Sequence, residues 1–296
     1  MLWNPPAALL GARNAIVSGS GRYSLAPFAG ALSVKHMLSG WGVWEAGGRR
    51  FRFEGDAFLV LNHGTVYSVE REDGEPTESF CPFFARGFVE AGARALRASQ
   101  EELIDEPDAA AERVELPEQL HCGASELVRE LRRLAALIRS GVATPLLLEE
   151  AFAALAREVV LAGDRAAAER ARVPALRAAT RAELHARLQR ARERIHDELG
   201  SRLTLAGLAR SACLSPHHFH AVFRAVYGVT VHRYLTRLRL ERARGLLRAT
   251  DRSVTEIGAA VGFESLGSFS ALFARETGRS PREFRRSEKR EAAGRE

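Results

Sequence analysis

The chain has 296 residues, 46% of them hydrophobic and 27% charged, with a formal net charge of +6. This balance is typical of a globular protein of about two domains, and no run approaches the ~18–20 apolar residues of a membrane span. The N-terminus lacks the basic start of a secretory signal, and Cys81, Cys122 and Cys213 form no CxxC pair. We therefore expect a cytoplasmic protein without membrane contact, disulfide framework or cofactor.

Positive charge is concentrated at one end of the chain. Residues 1–180 hold 20 Lys+Arg and 24 Asp+Glu, whereas residues 181–296 hold 23 and 13. Arginine-rich codon usage would explain why Arg exceeds Lys. It would not explain why the excess of basic over acidic residues is at one end of the chain. Because phosphate contacts dominate nucleic-acid affinity, this asymmetry predicts a domain that meets a polyanion.

Residues 1–95 are predicted to form a domain of short β-strands. Apolar runs at 32–38, 47–62, 65–70 and 78–84 are separated by turns that contain glycine. The Glu54-Gly55-Asp56 turn, between residues 50–53 and 58–61 of the second run, predicts a β-hairpin. Several closely spaced strands favour a small barrel or sandwich.

Residues 96–163 are predicted to form a connector and an antiparallel helix pair. The first helix begins near Ser125 and ends at Gly141, and the second has Thr144 as its N-cap and runs to about Gly163. Each repeats large apolar residues every three or four positions, Leu131 and Leu134 among them. We expect this pair to dimerise the protein through an exposed seam that includes Leu131 and Leu134, and packing on the strands is the alternative. An Ala/Arg-rich linker over 164–182 follows.

A repeated unit dominates residues 183–296. One copy carries Leu208, Ala209, Leu214, Phe219, Phe223 and Gly228, and the other carries Ile257, Gly258, Phe263, Phe269, Phe273 and Gly278. The offset between copies is 49 up to Leu214 and Phe263 and 50 from Phe219 and Phe269. Each copy predicts a short helix, a tight turn and a second helix that begins at a Ser N-cap, which is the anatomy of a helix-turn-helix.

An amphipathic helix over residues 231–248 is predicted between the two copies. At 1.5 Å per residue it would span about 27 Å, so one chain could place two reading helices in successive major grooves, ~34 Å apart. Residues 253–286 carry a Gly-Phe turn, paired Phe, Gly, Ser-Pro and aromatic-Arg. On these motifs, residues 184–286 resemble the DNA-binding domain of the AraC/XylS family of transcription regulators. The first part of the chain resembles, more loosely, the cupin-like sensing and dimerising domain of such regulators.

The resemblance and the helical faces together suggest which residues read DNA. The candidates for base contacts are His217, His220, Ala221, Gly267, Ser268 and Ala271. The candidates for phosphate contacts are Arg224, Arg275 and Arg282. Because Ala reaches only a thymine methyl group, we expect specificity to depend on His217, His220 and Ser268. The cluster HHFH (217–220) has an alternative interpretation as a metal site, although no carboxylate or cysteine completes a ligand set.

Two enzymatic alternatives to a regulator are weaker. A cupin-type metal enzyme needs a His-x-His pair, whereas the β region has only His36 and His63. A cysteine-based DNA repair protein needs an activated thiol, and none of the three cysteines has an activating neighbourhood. We expect instead that His36, Trp44 and Tyr67 line a small-molecule pocket at the barrel.

The predicted architecture is α+β: a cupin-like small β-barrel with a helix pair, then an all-α domain with two helix-turn-helix units. The expected function is a sequence-specific transcription regulator, not an enzyme, that reads two adjacent major grooves per protomer. The resemblance implies double-stranded DNA, a small-molecule effector, a second copy of the chain and RNA polymerase as partners, and it favours an activator.

Overall fold

The computed structural model describes residues 1–21, 23–71, 77–106, 109, 114, 116–122 and 125–293, and it describes no side chains for Arg71 and 291–293. The chain divides into two compact units, Met1–Ala171 and Arg172–Glu296. Part of the predicted connector between 96 and 125 lies outside the described residues.

Among its described residues, the first unit contains ten strands in two sheets. The strands are β1 (Leu2–Trp3), β2 (Ala15–Ser20), β3 (Tyr23–Ala29), β4 (Ser33–Ser39), β5 (Trp41–Ala46), β6 (Arg49–Glu54), β7 (Phe58–Leu61), β8 (Val66–Arg71), β9 (Glu78–Phe83) and β10 (Leu120–His121). Sheet one has the order β1-β2-β9-β4-β7-β10, and sheet two has the order β3-β8-β5-β6. Hydrogen bonds between described strands do not join the two sheets, so a closed barrel is not confirmed.

The hairpin predicted around Gly55 is wrong. β6 pairs with β5 in sheet two, whereas β7 pairs with β4 and β10 in sheet one. The Glu54-Gly55-Asp56 turn therefore carries the chain from one sheet to the other. The hairpin of this region joins β5 to β6 through Gly47 and Gly48, both with positive φ, as a tight two-residue turn requires.

The described part of the first unit also has four α-helices: α1 (Phe88–Arg97), α2 (Gln100–Asp105), α3 (Glu126–Arg139) and α4 (Pro145–Ala171). The helix pair is confirmed, with Ser125 accepting a bond from the Val128 N–H at the start of α3. Helices α1, α3 and α4 share one core with one face of sheet one. A second core fills the space between the two sheets.

The dimer seam predicted on α3 is wrong. Leu131 and Leu134 are 0% and 1% exposed, and both pack inside the first unit against sheet one and α4. The linker is also shorter than predicted, because α4 extends to Ala171 and the next helix begins at Ala178. Ala and Arg are strong helix formers, so a stretch of these residues continues a helix rather than ending it.

The second unit is made of seven helices among its described residues. They are α5 (Ala178–Asp197), α6 (Leu205–Ser211), α7 (Pro216–Tyr227), α8 (Val231–Ala249), α9 (Val254–Ala260), α10 (Leu266–Thr277) and α11 (Pro281–Ala293). Helices α6 and α9 are the short first helices that the repeat predicts, and α7 and α10 each begin at a Ser N-cap. Helix α8 matches the predicted connecting helix to within one residue.

Two separate hydrophobic cores lie within the second unit. The first contains α5, α6, α7 and the part of α8 up to Leu238. The second contains α8 from Leu240 onward together with α9 and α10, with Phe284 of α11 packed against it. Each helix-turn-helix therefore has its own core, and α8 belongs to both.

The described helices include no segment that is both long enough and apolar enough to cross a membrane.

Candidate nucleic-acid interface

The first helix-turn-helix is formed by α6 and α7. Thr204 caps α6 through the Gly207 N–H, and Ser215 caps α7 through the His218 N–H, with Pro216 at the first helical position. Cys213 takes a positive φ of 51° in the turn between the helices, and the Leu214 N–H donates to the Ala209 carbonyl. Buried Ala209 gives the close helix crossing that the repeat predicts.

The second helix-turn-helix repeats this construction with α9 and α10. Ser253 and Glu256 form a capping box at α9, and the Phe263 N–H donates to the Gly258 carbonyl, as Leu214 does to Ala209. A Cβ atom on Gly258 would lie 3.0 Å from the Phe269 ring, so a larger residue at the crossing of α9 and α10 would require the ring to shift by a few tenths of an ångström. Local capping and two small crossing residues thus fix the same geometry twice.

Helix α7 leaves its predicted reading face open. Phe219 and Phe223 are fully buried in the first core, while His217 and Ala221 on the opposite side are exposed and His220 is half-buried. Ser215 and Pro216 place the two histidines in the first turns of α7, the end of a recognition helix that usually meets base edges.

Helix α10 presents small residues on its outer face. Gly267, Ser268 and Ala271 are all exposed, as is the apolar side chain of Leu266. The Ser268 hydroxyl lies 2.8 Å from the Ser265 hydroxyl, within hydrogen-bonding distance. Since this hydroxyl takes part in the N-terminal cap, its freedom to address a base is reduced. Leu266, at the first position of α10, adds an apolar surface suited to a thymine methyl group.

The three predicted phosphate contacts are all exposed. Arg224 lies near the end of α7, Arg275 near the end of α10 and Arg282 in the first turn of α11. Arg275 is 3.5 Å from the carboxylate of Glu276, a pair so exposed that it holds the guanidinium weakly.

The predicted ligand-pocket residues of the first unit do not lie together. Trp44 and Tyr67 belong to the core between the sheets. His36 alternates with Lys35 along β4, so it faces the helix side, where its Nδ1 lies 3.0 Å from the Ala57 carbonyl oxygen. Burial is the largest cause that lowers the pKa of His36 to about 4. Its ring is therefore neutral near pH 7 and held by the backbone.

Lys35 is a polar core residue that the sequence reasoning missed. It is 1% exposed, and its ammonium group donates to the Tyr67 hydroxyl at 2.8 Å, across the space between the sheets. The ammonium also lies 3.8 Å from the centre of the Phe83 ring. The alternation of faces along β4 could have indicated that Lys35 is buried between the sheets, because Lys35 shares a strand face with Met37 and not with Val34.

Neither enzymatic alternative gains a site from the described residues. Within the described part of the chain, no group of three or more His, Cys, Asp or Glu side chains is arranged to hold a metal ion. His63 accepts a bond from the Leu32 N–H at 3.2 Å, and Cys81 is buried between the sheets. Exposed Cys213 occupies the turn between α6 and α7, where it has a structural role.

Comparison with known proteins places both helix-turn-helix units in one family. A family model described as a helix-turn-helix domain matches residues 208–287. The chain is 42% identical over 91 residues to the HTH-type transcriptional activator RhaS of Escherichia fergusonii, which covers 31% of this chain and 33% of that protein. By its C-terminal unit, the chain is similar to members of the AraC/XylS family.

Two further relatives match the same part of the chain. RhaS of Enterobacter sp. (strain 638) is 41% identical over 100 residues, covering 34% of this chain and 36% of that protein. A solved regulator with an AraC-type DNA-binding domain from Chromobacterium violaceum is 29% identical and covers 36% of this chain and 96% of its own, with a TM-score of 0.34. The chain spans about a third of the length of the curated relatives it matches.

Proposed function

We propose that this AraC/XylS-type protein is a sequence-specific transcription regulator that binds double-stranded DNA, and that it acts without catalysing a reaction. The observation that carries this proposal is the pair of helix-turn-helix units, each with its own core and an open outer face, in the basic part of the chain. The base contacts are assigned to His217, His220 and Ala221 on α7 and to Gly267, Ser268 and Ala271 on α10.

Selection of genomic DNA fragments by the purified full chain tests this function. We expect a small set of fragments that share one sequence, with protection from cleavage on one face of the duplex over two helical turns. Equal binding of fragments that share no sequence would contradict sequence specificity and would indicate a non-specific DNA-binding protein. The genes beside the selected sites would then indicate what the protein regulates.

A sensing role for the first unit is supported by its polar core contact. Lys35 and Tyr67 form an inter-sheet hydrogen bond inside an otherwise apolar core that also contains Trp44. We assign the effector site to this region between the sheets. His36, which faces the helix side of β4, is not part of the assigned site. A thermal-shift screen of small metabolites should give compounds that raise the Tm of the wild type but not of Trp44→Ala. Compounds that raise both equally would place the effector elsewhere.

Dimerisation is assigned to a different surface from the one predicted. Val142 and Leu146 are each 65% exposed and Leu147 is 40% exposed, all at the connection between α3 and α4. Three exposed apolar side chains so close together favour contact with a second copy. Sedimentation of Leu146→Glu with Leu147→Glu should give a folded monomer. A wild-type chain that is already monomeric at micromolar concentration would contradict the assignment.

Activation through RNA polymerase completes the proposal. Transcription from a promoter next to a selected site, with purified polymerase, should rise when the protein is added. A fall would identify a repressor.

A further inference from the structure

The two reading helices belong to half-domains with separate cores. Side chains of α8 up to Leu238 pack in the first core, and those from Leu240 onward pack in the second. Arg239 is the residue between them. Packing within either core does not by itself fix the angle between the halves, because α8 alone contributes to both.

Arg239 reaches from α8 to the segment that precedes α6. Its Nε donates to the Leu199 carbonyl at 3.2 Å, and its Nη2 donates to the Ser201 carbonyl at 2.8 Å. Two parallel donors from one rigid guanidinium fix direction as well as distance. The segment Leu199–Ser201 is thereby held against the middle of α8.

The same guanidinium lies against the turn of the second helix-turn-helix. A Cβ atom on Gly262 would be 2.7 Å from Arg239 Nη2, so the turn approaches the guanidinium closely because residue 262 is glycine. The ring of Phe263 is centred 6.0 Å from the guanidinium carbon. Burial is the largest cause that lowers the pKa of Arg239, as expected for a guanidinium contacted from two sides.

A direct backbone approach accompanies this contact. A Cβ atom on Gly200 would lie 2.6 Å from the Ala260 carbonyl oxygen, so the segment before α6 meets the end of α9. Arg202 and Glu264 add an ion pair of 3.5 Å, but their side chains are 85% and 81% exposed, so it contributes little. At this junction Arg239 is half-buried and Gly200 is exposed, so the enclosed contact is the one made by the Arg239 side chain.

We propose that Arg239 is a positioning residue that fixes the relative orientation of the two helix-turn-helix units, and with it the spacing between the two DNA sequences that one chain reads. The consequence for DNA rests on the proposed function, whereas the orientation does not. Loss of Arg239 leaves both hydrophobic cores in place and loosens the junction between them.

A distance measurement without DNA tests the orientation. Spin labels are attached to Ala225→Cys and Glu276→Cys, exposed positions on α7 and α10, in a full chain with Cys122→Ser and Cys213→Ser. The distance distribution should be narrow in the otherwise unchanged chain and in the control Arg237→Ala, an exposed residue of the same helix paired with Glu241. It should broaden in Arg239→Gln.

Two outcomes of this measurement decide the proposal whatever the protein does with DNA. An Arg239→Gln distribution as narrow as that of the control overturns it. If Arg239→Gln loses its helical circular dichroism, Arg239→Lys is measured instead. The lysine ammonium keeps the positive charge but lacks the two parallel donors of the guanidinium. Arg239→Lys should therefore also broaden the distance distribution. A narrow distribution in Arg239→Lys overturns the proposal.

DNA spacing tests the consequence. The wild-type chain selects its site from a random library, and one base pair is then inserted or deleted between the two contacted sequences, a rotation of about 35°. The wild type and Arg237→Ala should lose about tenfold in affinity for each altered spacing. Arg239→Gln should bind the unaltered site about tenfold more weakly and discriminate little between spacings, because the second contact is no longer pre-oriented.

An unchanged spacing preference with uniformly weaker binding overturns the proposal, whereas a wild type that selects no sequence contradicts the proposed function instead.

Discussion

Lys35 is a charged residue in an apolar environment. Its ammonium group lies between two sheets, with a phenol hydroxyl and aromatic faces as the partners that the structure gives it. Burial is the largest cause that lowers the pKa of Lys35 to about 7, and burial also raises the pKa of Tyr67. The phenol therefore stays protonated while the amine changes charge near neutral pH.

Lys35 should make the stability of the protein depend on pH. The pKa is about 7 in the folded state and about 10.5 in the unfolded state, so the unfolded chain binds more protons between these values. The free energy of unfolding should rise with pH over that window, by up to about 1.4 kcal/mol per unit. Urea unfolding from pH 7 to 10 should show this rise in the wild type and lose it in Lys35→Met. The exposed control Lys289→Met should keep it, and equal slopes in all three would refute the assignment.

The outer face of α7 gives a second prediction at this scale. His217→Ala should relax preference at one base pair, at a cost of about 1–3 kcal/mol on the preferred sequence. Arg275→Ala should weaken binding to all sequences alike, because a phosphate contact carries no base information. Binding to a set of single-base variants separates the two. A base-specific effect of Arg275→Ala, with none from His217→Ala, would reverse the two roles.

Among the elements, those fixed by local sequence were predicted and those fixed by distant pairing were not. The helix-turn-helix units were found because caps, crossing residues and inward Phe residues all lie within one short stretch. The β6–β7 hairpin was wrong because the same turn, around Gly55, can join strands of one sheet or of two. Lys35 was missed because a lysine in a strand suggests an exposed face, and β4 is instead covered on both faces.

The helix pair gives a prediction at the scale of elements. Leu131→Glu would bury a carboxylate between α3 and sheet one, and should destabilise the first unit by more than about 4 kcal/mol or prevent its folding. Ala136→Glu changes an exposed residue of the same helix and should alter stability by about 0.5 kcal/mol or less. Thermal unfolding measures both. A stable Leu131→Glu monomer would restore α3 as a subunit interface.

At the scale of the whole molecule, charge separates the two parts of the chain. The last 116 residues, 181–296, hold 23 basic and 13 acidic side chains. Exposed arginines such as Arg224 and Arg282 therefore act in a positive field that attracts phosphates from any sequence. Affinity and specificity should have different origins in this protein.

Salt dependence measures the share of affinity that comes from phosphates. The logarithm of the affinity of the full chain for a selected site should fall linearly with the logarithm of salt concentration. Arg224→Ala should reduce the slope by about 1. Arg129→Ala, an exposed arginine of the first unit, should leave it unchanged. An affinity indifferent to salt would contradict a phosphate-dominated interface.

The two reading helices have the same construction but different outer faces, histidines on α7 and a leucine with small residues on α10. Under the proposed function, their target would have unlike halves, and the same target reversed end to end would be a different site. A symmetric dimer of single helix-turn-helix units reads a palindrome, which has no direction. Under the proposed function, one protomer alone would distinguish upstream from downstream, and the orientation of its site on the DNA would decide on which side of the protein a promoter lies.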